Sequence, residues 1–275
     1  MKEIVEEIKR LQELNSLNTH LPIHAKSVEF FEELIQFLFP IRSDKLNCEI
    51  TSCNSIENIC QLFNEILTLC SNEKIDIKEI SIRFFNKLPE IYKELIEDAK
   101  LILDNDPASK SLEEIILSYP GFFAISAYRI CNALFKMEIP ILPRLISEYS
   151  HSKTGIDIHP GAKIKTPFFI DHGTGIVIGE TCEIGKNVKI YQGVTLGSLI
   201  VNKELSNKKR HPTIEDNVVI YSNATILGGD TVIGHDSTIG GNVWITKSLE
   251  PYSVVYYKAT VTIKKPTDSE LLFHI

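Results

Sequence analysis

The chain has 275 residues, 43% of them hydrophobic and 24% charged, enough for one or two ordinary cores; a disordered, collagen-like or small disulfide-stapled protein is excluded. A net charge of -7 and a single dense basic run, Lys208-Lys209-Arg210, predict no nucleic-acid partner. The uncharged apolar stretch near the start, Leu34 to Ile41, is far short of the roughly 20 residues a membrane helix needs. Met1 opens onto Lys2 and Glu3, so neither a secretory leader nor a membrane span is expected. Six cysteines (Cys48, Cys53, Cys60, Cys70, Cys131, Cys182) contain no C-x-x-C pair and read as buried, reduced thiols of a cytoplasmic protein.

Glycine divides the chain: Gly121 alone falls in residues 1–150, and the other 13 follow. Charge divides with it, 24 acidic residues against 16 basic in the first part and 12 against 13 in the second. In residues 1–150 the apolar positions recur at helical spacing, as in Ile4, Ile8, Leu11 and in Ile91, Leu95, Ile96, predicting an α-helical domain. Its helices should break at Pro22, Pro40, Pro89, Pro107, Pro120, Pro140 and Pro143, where the ring removes a hydrogen bond. Asp106-Pro107 reads as an N-cap followed by a first-turn proline, with helix continuing through Ser109-Lys-Ser-Leu-Glu113.

From Ile178 the period changes to six. Aliphatic residues fall at Ile178, Ile184, Ile190 and Leu196, then at Ile214, Ile220, Ile226, and after a one-residue slip at Ile233, Ile239, Ile245. A second track of small residues runs through Cys182, Val188, Val194, Val218, Ala224, Ser237 and Val243. Neither 3.6 nor 2 generates that repeat; a hexapeptide period predicts a parallel β-helix, each hexad one face and three hexads one coil. Asn187, Asn217 and Asn223 suit its corners, where φ turns positive. An α+β chain is therefore expected: a helical domain over 1–150, a β-helix over 151–262 and a tail over 263–275. Residues 197–211 carry no hexad and should be a loop expelled from the coil, and after Leu249-Glu-Pro251 the repeat should stop.

A β-helix needs aliphatic, small and corner residues, so imidazoles and charges grouped at corners require another account. Three groups stand out: Asp157-Ile-His159, Asp171-His172 and Arg210-His211. An imidazole backed by a carboxylate is a general base that can activate a hydroxyl for acyl transfer. His159, His172 and His211 are alternatively three zinc ligands at a cleft between copies. No phosphate-cradling glycine motif is present.

Residues from about 85 to 262 resemble the serine O-acetyltransferases, hexapeptide-repeat acyltransferases. The resemblance rests on Asp106-Pro-Ala108, Gly121-Phe-Phe-Ala-Ile-Ser-Ala-Tyr-Arg-Ile130, Asp157-Ile-His-Pro-Gly161, Asp171-His-Gly-Thr-Gly-Ile-Val-Ile-Gly-Glu180, Gln192-Gly-Val-Thr-Leu-Gly197 and Arg210-His-Pro212. It implies a left-handed parallel β-helix and transfer of acetyl from acetyl-CoA to the L-serine hydroxyl, the first step of cysteine biosynthesis. His172 would be the base and Asp157 would orient it. Asp106 and Asp171 would hold the substrate ammonium, Arg210 its carboxylate, and His211 would complete the pocket, with no metal. CoA would lie near Gly197, Ser198, Ser222 and Gly241. The resemblance also implies a trimer, paired into a dimer of trimers through the helical domain, feedback inhibition by L-cysteine, and contact with cysteine synthase through a terminal isoleucine, here Ile275. Other acceptors on the same fold, homoserine or a sugar, stay open, as does a non-catalytic cysteine synthase-binding regulator. Within the pattern Phe123 stands where many members carry histidine, and Tyr257-Lys-Ala-Thr260 replaces a Gly-x-Pro-Ala run.

Overall fold

The computed structural model describes residues 1–15, 23–43, 53–70, 76–199 and 208–258. Among them the chain forms α1 (Lys2–Leu14), α2 (Ile23–Leu38), a 3-10 turn (Pro40–Arg42), α3 (Cys53–Cys70), α4 (Ile77–Asn105), α5 (Leu112–Ser118), α6 (Pro120–Lys136) and α7 (Leu142–Thr154). Fourteen short strands follow, from β1 (Asp157–Ile158) to β14 (Val254–Val255).

The strands are visited in rotation and build three parallel sheets, so the coil has three sides. Face A holds β1, β4 (Val177–Ile178), β7 (Thr195–Gly197), β10 (Thr225–Leu227) and β13 (Trp244–Ile245). Face B holds β2 (Lys163–Ile164), β5 (Glu183–Ile184), β8 (Thr213–Ile214) and β11 (Val232–Ile233). Face C holds β3 (Phe168–Ile170), β6 (Val188–Ile190), β9 (Val219–Ile220), β12 (Thr238–Ile239) and β14. The hexad aliphatics pair in register, Ile178 with Leu196, Ile184 with Ile214 and Ile190 with Ile220, and are buried inside the coil. Asn187, Asn217 and Asn223 turn its corners at φ 56°, 61° and 59°.

Three expectations change. Asp106 stands at the exit of α4 as its C-cap and not at a helix entrance. The next helix starts only at Leu112, because Ser111 accepts from Glu114 N (3.2 Å) while the Glu114 carboxylate takes Lys110 N (2.8 Å), a side-chain cap stronger than the one Asp106-Pro107 offers. Pro89 does not break α4, which runs through it with Phe84, Leu88, Ile91 and Leu95 all buried on one face; the packing of that stripe outweighs one lost hydrogen bond. Nor does the coil stop at Leu249: that residue bridges to Ile233, and Val254 and Val255 pair with Thr238 and Ile239.

Helix α6 closes the first coil. Tyr128 donates to Ala162 O (2.7 Å) and accepts from Ile164 N (3.0 Å), and Asn132 Nδ2 donates to Pro160 O (2.7 Å) and Ala162 O (3.0 Å). Arg129, paired through two 3.0 Å bonds with Asp98 of α4, donates to Ile164 O (2.8 Å), while Asp98 accepts from Phe168 N (2.8 Å). These side chains satisfy backbone groups on the open edge of the sheets, which would otherwise be buried without partners. Gly121 lets α6 sit on β3: a Cβ there would lie 2.3 Å from Ile170 O. Cys70, Cys131 and Cys182 are buried free thiols, and Cys60 is half-buried and free. Cys48 and the 263–275 tail with Ile275 lie outside the described residues.

Candidate active site

Between Ile158 and Ile245 successive inward aliphatics are six residues apart except in three places: eight from Ile170 to Ile178, eighteen from Leu196 to Ile214 and seven from Ile226 to Ile233. All three fall on the two edges that border face A, and the edge between faces B and C keeps the period of six. Chain that the coil does not need therefore collects on two edges, and so do the polar clusters.

On the edge between faces C and A, the two additional residues after Ile170 throw His172 outward. It has φ 57°, rare for a residue with a side chain, and its imidazole is 69% exposed. Asp171 Oδ1 accepts from the His172 backbone N at 2.7 Å and lies 3.5 Å from the ring Nδ1. The exit of α4 brings Asp106 to the same edge. Tyr119 Oη donates to Asp106 Oδ2 at 2.6 Å, and Ala108 N donates to Oδ1 at 2.8 Å. Those two bonds, Tyr119 first, with His172 nearby, hold the Asp106 carboxyl below its usual range. Asp106 in turn leads in pushing the Tyr119 hydroxyl up to about 12, with burial and Asp171 adding to it. Above Asp171, Tyr191 and Tyr221 stack at 5.3 Å and 6°, an aromatic wall continued by Phe169.

One coil above Thr174, whose carbonyl accepts from Gly193 N, stands Gln192, followed in the same line by Ser222 and Gly241; His172 lies in the two-residue bulge just before Thr174, outside that line. Gln192 Oε1 is buried with no hydrogen-bond partner among the described residues. A buried acceptor left unsatisfied costs about 1–3 kcal/mol, and here it belongs to the residue one coil below Ser222, a position expected to meet CoA.

On the edge between faces A and B, the eighteen-residue excursion returns through Arg210 and His211. Residues 200–207 lie outside the described residues. Thr181 Oγ1 accepts from both Arg210 N (2.9 Å) and His211 N (3.1 Å), and Thr181 N donates to His211 Nδ1 (3.1 Å). The Arg210 guanidinium pairs with Glu180. The His211 ring occupies the space Gly179 leaves, since a Cβ there would stand 2.1 Å from Cδ2. Burial, then Arg210, pushes His211 down to about 4. His211 is therefore neutral, and with Nδ1 accepting, its proton sits on Nε2, ready to donate. His159, on the same edge, is also shifted down by burial and accepts from Gly161 N at 3.0 Å. Gly197 and Ser198 leave face A here.

The expected residues thus sort onto two edges. Asp106, Asp171, His172, Ser222 and Gly241 share one; Gly197, Ser198, Arg210 and His211 share the other. Asp157 opens face A beside His151 and Glu148, with ligand atoms of the three within 4.8 Å. Within one chain Asp157 makes no ion pair with His172, whose near carboxylate is Asp171. His159, His172 and His211 do not converge as a metal-ligand set among the described residues. Tyr119, Glu180 and Thr181 escaped the sequence reading. Glu180 and Thr181 follow Ile178-Gly179, where the coil asks only for a corner, and that excess polarity was their signal.

A three-sided parallel coil with imidazoles, carboxylates and a guanidinium on the edges that flank one face defines a hexapeptide-repeat acyltransferase architecture. The comparisons narrow it. No family model matches the chain. It is 50% identical over 182 residues to a plasmid-encoded serine acetyltransferase of Synechococcus elongatus, a match covering 64% of this chain and 57% of that protein. The chain thus spans a little over half the length of the curated relatives it matches. Entamoeba histolytica serine acetyltransferase 1, solved with L-cysteine, superposes with TM-score 0.75 at 32% identity, over 86% of this chain and 98% of that one. A serine acetyltransferase solved with CoA superposes with TM-score 0.58 at 26% identity, over 83% and 96%. The chain belongs to the serine acetyltransferase family.

Proposed function

We propose that this chain transfers acetyl from acetyl-CoA to the hydroxyl of L-serine, in a site completed only between two copies. The observation that carries it is the separation of the polar groups onto the two edges that flank face A. Those edges meet when three copies turn face A toward a common three-fold axis, which lays the edge between faces C and A of one copy against the edge between faces A and B of the next. Val177 and Trp244, the latter 69% exposed, are the apolar residues that face would cover. A second layer, two rings paired through the helical domain of residues 1–150, is part of the same proposal.

In the assembled site Asp106 and Asp171 take the serine ammonium, and Arg210 takes its carboxylate. His172 accepts the hydroxyl proton, and Asp157 of the partner subunit steadies the imidazolium. The alkoxide adds to the thioester carbonyl; the tetrahedral intermediate collapses, and the CoA thiolate leaves as it takes the proton back from His172. His211 offers its Nε2 proton as a neutral donor. CoA runs up the line of Ser222 and Gly241 toward Gly197 and Ser198 across the contact. L-cysteine, bound in the Entamoeba relative, fits the same pocket as serine in size and charge and would inhibit by occupying it. Cysteine synthase is the proposed protein partner, met by Ile275. Acetyl-CoA as co-substrate and the four free thiols among the described residues favour the cytoplasm, and no described helix is long and apolar enough to cross a membrane.

The test follows thiol release from acetyl-CoA on adding L-serine, with L-homoserine and a galactoside as competing acceptors. Serine-dependent release that falls about 10²- to 10⁴-fold in His172→Ala establishes reaction, acceptor and base together. Release with homoserine or the sugar alone reassigns the acceptor. No release from folded protein with any acceptor leaves a binding role through Ile275.

A further inference from the structure

Two contacts converge on three consecutive residues at the junction of α5 and α6. Tyr119 Oη donates to Asp106 Oδ2 at 2.6 Å. Two residues on, Gly121 rests against the carbonyl of Ile170, closely enough that a Cβ would be 2.3 Å from its oxygen. Ile170 immediately precedes Asp171 and His172. Pro120 between them opens α6, and Phe123 N donates to Tyr119 O at 3.1 Å, which locks the turn to the helix. The segment Tyr119-Pro120-Gly121 thus holds Asp106 at one end and the backbone of the proposed base at the other.

We infer that Tyr119 is a positioning residue for amino-acid recognition: its hydroxyl orients the Asp106 carboxylate toward the substrate ammonium and sets its distance from His172. The inference rests on the proposed serine reaction. Asp106 follows the last turn of α4, where a carboxylate has several staggered rotamers open to it. Ala108 N fixes one oxygen from behind. The Tyr119 hydroxyl fixes the other, and the Asp171 carboxylate is near enough to act on that same hydroxyl, so the two carboxylates share one neighbourhood. A donor hydroxyl also keeps Asp106 ionised, so that it meets an ammonium as an anion. Without Tyr119 the carboxylate regains rotamers and must be ordered by the substrate itself, a cost borne by binding rather than by the chemical step.

The experiment compares wild type, Tyr119→Phe, Asp106→Asn and the double variant by steady-state kinetics, with L-serine affinity from calorimetry and melting temperature as the folding control. For Tyr119→Phe the expected result is a rise of about 3- to 20-fold in KM for serine, part of the roughly 10- to 150-fold that one hydrogen bond to a charged group is worth, because the contact acts on serine only through Asp106, with kcat and KM for acetyl-CoA within about 2-fold. In the Asp106→Asn background the same replacement should change KM less than 2-fold, because the two residues act as one unit. The acid limb of kcat/KM should move to higher pH in Tyr119→Phe, because Asp106 then protonates more easily. An unchanged serine KM, or an equal loss with and without the Asp106 carboxylate, overturns the inference and leaves the transferase reading intact. A wild-type enzyme that neither binds nor acetylates serine overturns both.

Discussion

His211 shows how one side chain couples the site to pH. Its ring is buried in the space above Gly179 with Nδ1 accepting from Thr181 N, an arrangement that only the neutral imidazole can make. The folded value is about 4 against an ordinary 6.5, so the folded state binds fewer protons than the unfolded chain between those limits. Above pH 6.5 the group is neutral in both states and stability does not depend on it; acidification from 6.5 toward 4 drains stability. Melting temperature should fall across that window, and His211→Asn, which can keep the acceptor but cannot titrate, should flatten the fall. A slope unchanged in the variant assigns the acid sensitivity elsewhere. The presence of His172 and His211 was legible from residue types the coil does not require. Their opposite environments, one imidazole thrown into solvent by two additional residues and one buried neutral, were not, because they depend on which corner each occupies.

Among the elements, α6 is the one whose role the sequence concealed. Its segment from Gly121 to Ile130 stood out as a motif, yet an amphipathic period says nothing about what a helix covers. In the structure Tyr128, Arg129 and Asn132 cap the exposed edge of the first coil, and Asp98 reaches in from α4 to complete the cap. Replacing Arg129 by Met should cost about 3–5 kcal/mol in denaturant unfolding, since Asp98 is then buried as an uncompensated charge. Adding Asp98→Leu should recover part of the loss, and a double variant as unstable as the sum of the singles would deny the coupling. The hexads were readable because no other regular structure repeats every six residues. The start of α5 was not, because Asp106 and Ser111 are both good caps and only the reciprocal Glu114 bond separates them.

For the whole molecule, the division of the site between two edges makes a quantitative statement. His172→Ala and Arg210→Ala chains are each expected to be inactive alone. Co-expressed in equal amounts, they should regain about one quarter of the wild-type activity, because each interface draws one edge from each of two copies at random. Recovery indistinguishable from zero in a verified mixed assembly would mean that each chain holds a complete site. Sequence periodicity revealed the coil but not its sidedness: the sequence pairs Asp157 with His172 only through the family resemblance, whereas in the structure Asp157 opens face A and His172 stands on the edge between faces C and A.

The coil also works as a ruler. Strands in a sheet are about 4.8 Å apart, so Gln192, Ser222 and Gly241 stand about 5, 10 and 14 Å above the coil that carries His172. Reach toward a long thin co-substrate is thus set by counting coils, in steps of one strand spacing, while the reacting groups stay on the lowest rung. A chain of this design can lengthen or shorten its grip by whole turns without redesigning the chemistry at the bottom.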